Sequence, residues 1–191
     1  MFVKAFSATL AVLYYLYIQI MSTIERSLIV FKPDAVGRGI VGEILARFEK
    51  VGLKIVGTKM VNPDTAFYHH HYENIGTMIT RHGQKIFDTT VTMMQAGPVI
   101  AFVLEGIDAV TVIRKMVGAT ESKSALPGTI RGDYSHMSYG HADEMGIGLT
   151  NILHASGDSK EAVEEISHWF SESELFDYEA AHEKFTQTKK K

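Results

Sequence analysis

Hydrophobic positions recur along this chain with two periods, and the switch between them marks its elements. Ser27-Leu28-Ile29-Val30-Phe31-Lys32 is apolar almost throughout until Pro33 stops it, the pattern of a buried strand with Lys32 at its end. From Ile40 to Val51 the apolar residues Ile40, Val41, Ile44, Leu45, Phe48 and Val51 keep helical spacing, with Glu43, Arg47, Glu49 and Lys50 off the stripe. Gly52 then stops the helix, and Leu53 to Val61 alternates as a second strand closed by Asn62-Pro63. Asp64 to Tyr72 reads as a helical turn, and Gly76 to Gln95 as a longer helix broken near Gly83. Gly97-Pro98 opens a third, uncharged and central strand, Val99 to Leu104. Ile107 to Val117 is helical, with Val110, Ile113 and Val117 on one side and Gly118 as its stop. Little regular pattern follows from Gly118 to Thr150. Asn151-Ile152-Leu153 is the fourth strand, ending at His154. Asp158 with Glu161 three residues on then opens a helix that buries Ala162, Ile166, Trp169 and Phe170. The order is β-α-β-β-α-β with an inserted helix pair. It predicts an α/β fold, a ferredoxin-like sandwich with a four-stranded antiparallel sheet and helices packed on it.

The ends differ from this body. Residues 1–22 form an apolar extension, uncharged from Ala5 to Met21 but interrupted by Ser7, Thr9 and Gln19. A spanning helix needs about 20 mostly apolar residues, so the run is marginal. It reads either as a membrane anchor through residues 5–21 or, as we favour, as an extension upstream of a start at Met21. Residues 23–178 are the domain, and the polar segment 179–191, ending in three lysines, is expected to be mobile. Hydrophobic residues make up 46% and charged residues 21% of the 191, enough for a real core. The net charge of −3 argues against a dedicated nucleic-acid partner, so a phosphorylated substrate needs local cations. The absence of cysteine excludes disulfides and thiolate chemistry and fits a cytoplasmic location.

Candidate chemistry gathers at few places. Taken alone, Asn151-Ile152-Leu153-His154-Ala155-Ser156 favours a structural histidine at a strand end, with a nucleophile or base as the sharper reading. His69-His70-His71 cannot converge on one ion from adjacent helical positions and reads as a partly exposed helix surface. His136, His141, Asp133, Asp143 and Glu144 match no metal spacing and read as a solvated loop. Pro127-Gly128-Thr129-Ile130-Arg131-Gly132 is turn chemistry holding an arginine, inside a stretch long enough to carry function. Lys32, Arg114 and Arg131 together with His154 suit phosphoryl transfer, because phosphates need cations in fixed geometry.

With those residues in place the sequence resembles the nucleoside diphosphate kinases from about Arg26 to Tyr178. Its anchors are Phe31-Lys32-Pro33-Asp34, Val41-Gly42-Glu43-Ile44, His71-Tyr72, Gly97-Pro98-Val99, Pro127 to Asp133, Asn151 to Ser156 and Trp169-Phe170. The resemblance implies that His154 is a nucleophile that becomes phosphohistidine, oriented by Glu165, with Ser156 and Tyr72 beside it. It implies nucleotide contacts at Lys32, Phe87, Arg114, Thr120, Arg131 and Asn151. It also implies Mg2+ carried by the nucleotide phosphates rather than by a protein cage, nucleoside tri- and diphosphates as partners, and a homo-oligomer, hexamer or tetramer. The chain departs from the family pattern in four ways. An aromatic pair near the base is here Ile86-Phe87, Ala119 replaces an acidic residue, Gly157 stands where Asp is usual, and the segments 74–90 and 134–150 are long. A non-catalytic binder on the same fold would be expected to lack one of the residues that the chemistry requires, and none is missing.

Overall fold

The computed structural model describes residues 23–186, so the apolar extension 1–22 and the lysine-rich end lie outside the described residues. Strands β1 (Ile24–Phe31), β2 (Lys54–Val61), β3 (Val99–Ile107) and β4 (Leu153–Ala155) form one sheet in the order β2-β3-β1-β4. Every pairing is antiparallel. This is the expected ferredoxin-like sandwich. The helices are α1 (Pro33–Gly37), α2 (Val41–Lys50), α3 (Thr65–His69), α4 (Met78–His82), α5 (Gln84–Met94), α6 (Ala109–Val117), α7 (Ile130–Tyr134), α8 (Tyr139–Met145), α9 (Ser159–Trp169) and α10 (Glu183–Thr186).

Strand alternation divides the core in two. Ile29 and Phe31 of β1 join Phe102, Leu104, Leu153 and Ala155 beneath Ile44 and Phe48 of α2 and Ile113 and Val117 of α6. Leu28, Val30, Ala101 and Val103 face the other way, beneath Tyr68, Phe87, Val91, Met94, Ile166 and Trp169. Full burial of one such side chain is worth roughly 1.5–3 kcal/mol, so both faces hold the sheet firmly.

Three local features depart from the sequence expectations. The stretch 118–150 is not patternless: it contains α7 and α8, capped by Thr129 Oγ1 accepting from Gly132 N and Ser138 Oγ accepting from His141 N. Helices this short leave no periodic signal. The strand expected at Asn151–Leu153 starts later. Ile152 has φ +77° and the Leu153 N–H donates to the Asn151 carbonyl at 2.9 Å, a tight γ-turn. His154 therefore sits inside β4, paired with Val30, rather than at its end. The segment from Glu179 is docked as far as Thr186, because nearly buried Lys54 binds Glu183 at 2.9 Å and the Tyr178 carbonyl at 2.9 Å. Among the described residues no helix is long and apolar enough to cross a membrane.

Candidate active site

Alternation along β4 decides where His154 points. Leu153 and Ala155 enter the first core, so His154 faces the opposite side, towards α9. There its Nε2 meets Glu165 Oε1 at 2.7 Å. The other carboxylate oxygen accepts from Ser156 Oγ at 2.6 Å, and Ser156 Oγ in turn accepts from the Leu28 N–H at 3.1 Å. Burial alone would raise the Glu165 carboxyl. The electrostatic pull and hydrogen bond of His154, the neighbouring His71 and the Ser156 hydroxyl outweigh it and bring the group down to about 2. An ionised Glu165 accepts the hydrogen bond from Nε2–H, which leaves the ring's lone pair on Nδ1. Nδ1 has no partner among the described residues. Ser156 is fully buried and reaches the histidine only through Glu165.

Behind this pair stands a residue that the sequence reading placed on the surface. His71 is 2% exposed, its ring 4.7 Å from that of His154 and nearly perpendicular to it. The chain turns it inward by a π-helical turn, His70–Ile75, which breaks the 3.6-residue spacing on which the surface assignment rested. His69 and His70 remain outside. The pairing of His71 with buried Tyr72 in the sequence anchors was the available signal. Tyr72 lies beside His154 with ring centroids 6.4 Å apart, and its hydroxyl is buried without a partner among the described residues. Burial raises its pKa, so it stays a neutral donor.

Cations gather on the other side. Lys32 Nζ donates to Asn151 Oδ1, whose amide donates to the Thr120 carbonyl at 2.8 Å. Arg131 is buried and spends its fork on backbone carbonyls of Asn151, Gly118 and Leu153 at 3.1, 3.3 and 2.8 Å. Arg114 reaches the Ala155 carbonyl at 3.5 Å. Among the described residues none of the three forms an ion pair, although Arg26, Arg47, Lys54 and Lys59 all do. Burial, then Arg131, lowers Lys32 to about 7 against the pull of Asp34. Burial and Arg114 lower Arg131 to about 10. Buried cations that form no ion pair among the described residues are set up for an anion.

One cavity of about 520 Å³ joins these groups. Lys32, Arg114, Thr120, Arg131, Asn151, His154 and Tyr72 all line it. Phe87 does not: it packs in the second core at 4% exposure, and its neighbour Ile86 lines the cavity instead. Adjacent helical positions point about 100° apart, so α5 can offer only one of the two to the cavity. Arg81, His82, Asp143 and Glu161 also line it, from the long segments and the start of α9. The loop acids and histidines do not converge: Asp133 is spent on Arg47 and the Gly128 N–H, while His136 and His141 line a separate hollow. His71, His154 and Glu165 present ligand atoms within 4.8 Å of one another, yet they fit magnesium poorly. The Glu165 oxygens and His154 Nε2 are already bonded to each other and to Ser156, His71 Nδ1 accepts from Trp169 Nε1, and Mg2+ prefers oxygen.

The sequence matches the family model described as nucleoside diphosphate kinase over residues 25–175. The nucleoside diphosphate kinase of Borreliella burgdorferi is 40% identical over 157 residues, 81% of this chain and 92% of that protein. That of Pyrococcus horikoshii is 47% identical over 167 residues, covering 86% and 97%. Among solved structures, a transition-state mimic of the Borrelia burgdorferi kinase with bound vanadate and ADP superposes with a TM-score of 0.81 at 38% identity, covering 84% of this chain and 95% of that one. A Halobacterium salinarum kinase in complex with CDP gives 0.72 at 36%, covering 84% and 97%. Fold, unpaired cations and histidine–carboxylate pair thus coincide with relatives matched along most of their length, and the chain belongs to the nucleoside diphosphate kinase family.

Proposed function

We propose that this chain moves the γ-phosphoryl group of a nucleoside triphosphate to a nucleoside diphosphate by way of a phosphohistidine on Nδ1 of His154. In the first half-reaction the Nδ1 lone pair attacks the γ-phosphorus, the bond to the β,γ-bridging oxygen breaks, and the diphosphate leaves. In the second, a terminal β-oxygen of another diphosphate attacks the same phosphorus and the P–N bond breaks. Neither half consumes a proton, because Nε2–H stays hydrogen-bonded to Glu165 at 2.7 Å and the carboxylate offsets charge on the phosphorylated ring. One nucleophile serving both halves gives ping-pong kinetics.

The observation that carries this reading is the convergence of Lys32, Arg114 and Arg131, none of them in an ion pair among the described residues, on the cavity that exposes His154. They suit the phosphate chain, with most stabilisation where charge develops on the transferring oxygens. Thr120 and Asn151 suit the ribose and phosphate end, and the unspent Tyr72 hydroxyl is a donor beside the histidine. Ile86 is the apolar wall available to a base, which favours tolerance of different bases. Magnesium entering on the nucleotide phosphates would screen their charge. The cavity carboxylates Glu161 and Asp143 suit its bound waters better than the histidine cluster does. The family resemblance further supports a hexamer or tetramer, and the cysteine-free composition supports a cytoplasmic setting.

The test is incubation with γ-labelled ATP and magnesium, followed by GDP. An acid-labile, base-stable label that then appears in GTP is expected. His154→Ala should abolish labelling, a loss of at least about 10³-fold. Equal labelling of that variant would sink the reading.

A further inference from the structure

His71 and Trp169 are not accounted for by the steps above. The Trp169 indole Nε1–H donates to His71 Nδ1 at 3.2 Å, and indole can only donate. His71 Nδ1 must therefore carry the lone pair, and a neutral His71 holds its proton on Nε2. The same Nδ1 lies 3.8 Å from Glu165 Oε1, the oxygen that serves His154. If His71 carried a proton on Nδ1, a small ring movement would let it donate to that oxygen. It would then compete with His154 for the acceptor that holds the nucleophile's tautomer. We infer that Trp169 and His71 form a positioning pair, in which the indole locks His71 as its Nε2–H form and thereby reserves Glu165 for His154.

The surroundings favour the lock. His71 faces His154 of β4, Glu165 and His168 of α9, Lys32 at the end of β1, and Tyr72 beside it in the π-helical turn. Burial is the largest influence, and His154, His168 and Lys32 add to it against the pull of Glu165, so that His71 is pushed down to about 3. The ring is neutral at working pH, and the indole chooses its tautomer. Phe67 meets Trp169 edge-on with ring centroids 4.8 Å apart and holds the indole plane in place.

The inference rests on the phosphohistidine reading, and the test separates the two. Phosphoryl transfer from ATP to the protein is followed in single turnovers across pH for wild type, Trp169→Phe, His71→Leu and the double variant. Trp169→Phe should slow labelling about tenfold, by a factor that stays constant over roughly pH 6–8, because a neutral His71 is then free to move its proton from Nε2 to Nδ1 and that exchange takes up no proton from solvent. Adding His71→Leu removes the competitor, so the double variant should recover most of the rate. A double variant as slow as, or slower than, Trp169→Phe would overturn the lock. Unlabelled wild type would instead overturn the parent reading. Long-range proton–nitrogen spectra of the wild-type imidazoles give a readout independent of activity: His71 should show a bare Nδ1 and a protonated Nε2 over roughly pH 6–8. A proton on Nδ1 in that range would also overturn it.

Discussion

Lys32 shows at the scale of one residue what the proposed phosphate site costs the fold. Its ammonium is buried beside Arg131 and lowered from 10.5 to about 7. Above that folded value the unfolded chain binds a proton that the folded chain does not, so the Lys32 contribution to stability rises as pH climbs from about 7 towards 10.5. At and below neutral pH the group is a burden. Lys32→Met should raise stability there by about 1–3 kcal/mol in urea titrations while severely weakening ADP binding. Bound phosphates would restore the charge, so ADP binding at about pH 8 should take up protons. Calorimetry in two buffers of different ionisation heat measures that uptake, and none would contradict the role given to Lys32. The neighbouring positions on α5 make a second contrast. Ile86→Phe should tighten nucleotide binding by stacking, at little cost in stability. Phe87→Ala should cost about 3–5 kcal/mol by opening the second core, with loss of function only through unfolding. If Phe87→Ala instead weakened binding in a protein of unchanged stability, Phe87 would belong to the site after all.

Elements bring these residues together, and some of that assembly could be read from sequence alone. β1, α2 and β3 carry clean periodic patterns, and α9 announces itself through Asp158, whose side chain accepts from the Glu161 N–H at 2.8 Å. His154, Glu165, Arg131 and Lys32 were accessible through such elements and the motifs at their ends. What escaped is what departs from ideal spacing. The π-helical turn carries His71 inward, the γ-turn at Ile152 delays β4, and short α7 and α8 are set by side-chain caps rather than by hydrophobic stripes. Which of Ile86 and Phe87 faces the cavity depended on helix phase, which the break at Gly83 resets. The long segment 134–150 acquires its place by tertiary contact. Buried Gly148 lies so close to α5 that an added Cβ would stand 2.6 Å from Met93 Cβ and 2.6 Å from the Thr89 carbonyl. Gly148→Ala should therefore push this segment off α5 and widen the cavity at Ile147 and Leu149. Nucleotide affinity should fall by about tenfold while the urea midpoint moves little, since both cores lie elsewhere. Fluorescent-nucleotide titration measures the first quantity, and unchanged affinity would mean that the segment does not shape the bound state.

For the molecule as a whole, the exposed side of the sheet is β2, and the chain closes much of it with its own C-terminal segment. The Phe176 N–H donates to the Val56 carbonyl at 2.7 Å, and the Tyr178 hydroxyl donates to the Ile55 carbonyl at 2.8 Å. Leu175 approaches Gly57 so closely that a Cβ there would meet its Cδ2 at 2.8 Å. Beneath this strap Lys54 binds Glu105 at 2.7 Å and Glu183 at 2.9 Å, while Glu105 also holds Arg26 at 2.7 Å. An open strand edge invites pairing with another chain, and a buried ammonium that loses one of its carboxylates is costly. The strap answers both demands at once, far from the cavity. Ending the chain at Leu175 should therefore lower stability by about 2–4 kcal/mol and promote concentration-dependent association through β2, where Met60 is already exposed. The phosphoryl chemistry of the fraction that stays folded should survive, because among the described residues none after Glu165 lines the cavity. Urea titration and sedimentation velocity at two concentrations read the two effects separately. A truncated chain of full stability and unchanged association would show that β2 needs no cover and that Glu105 alone suffices for Lys54.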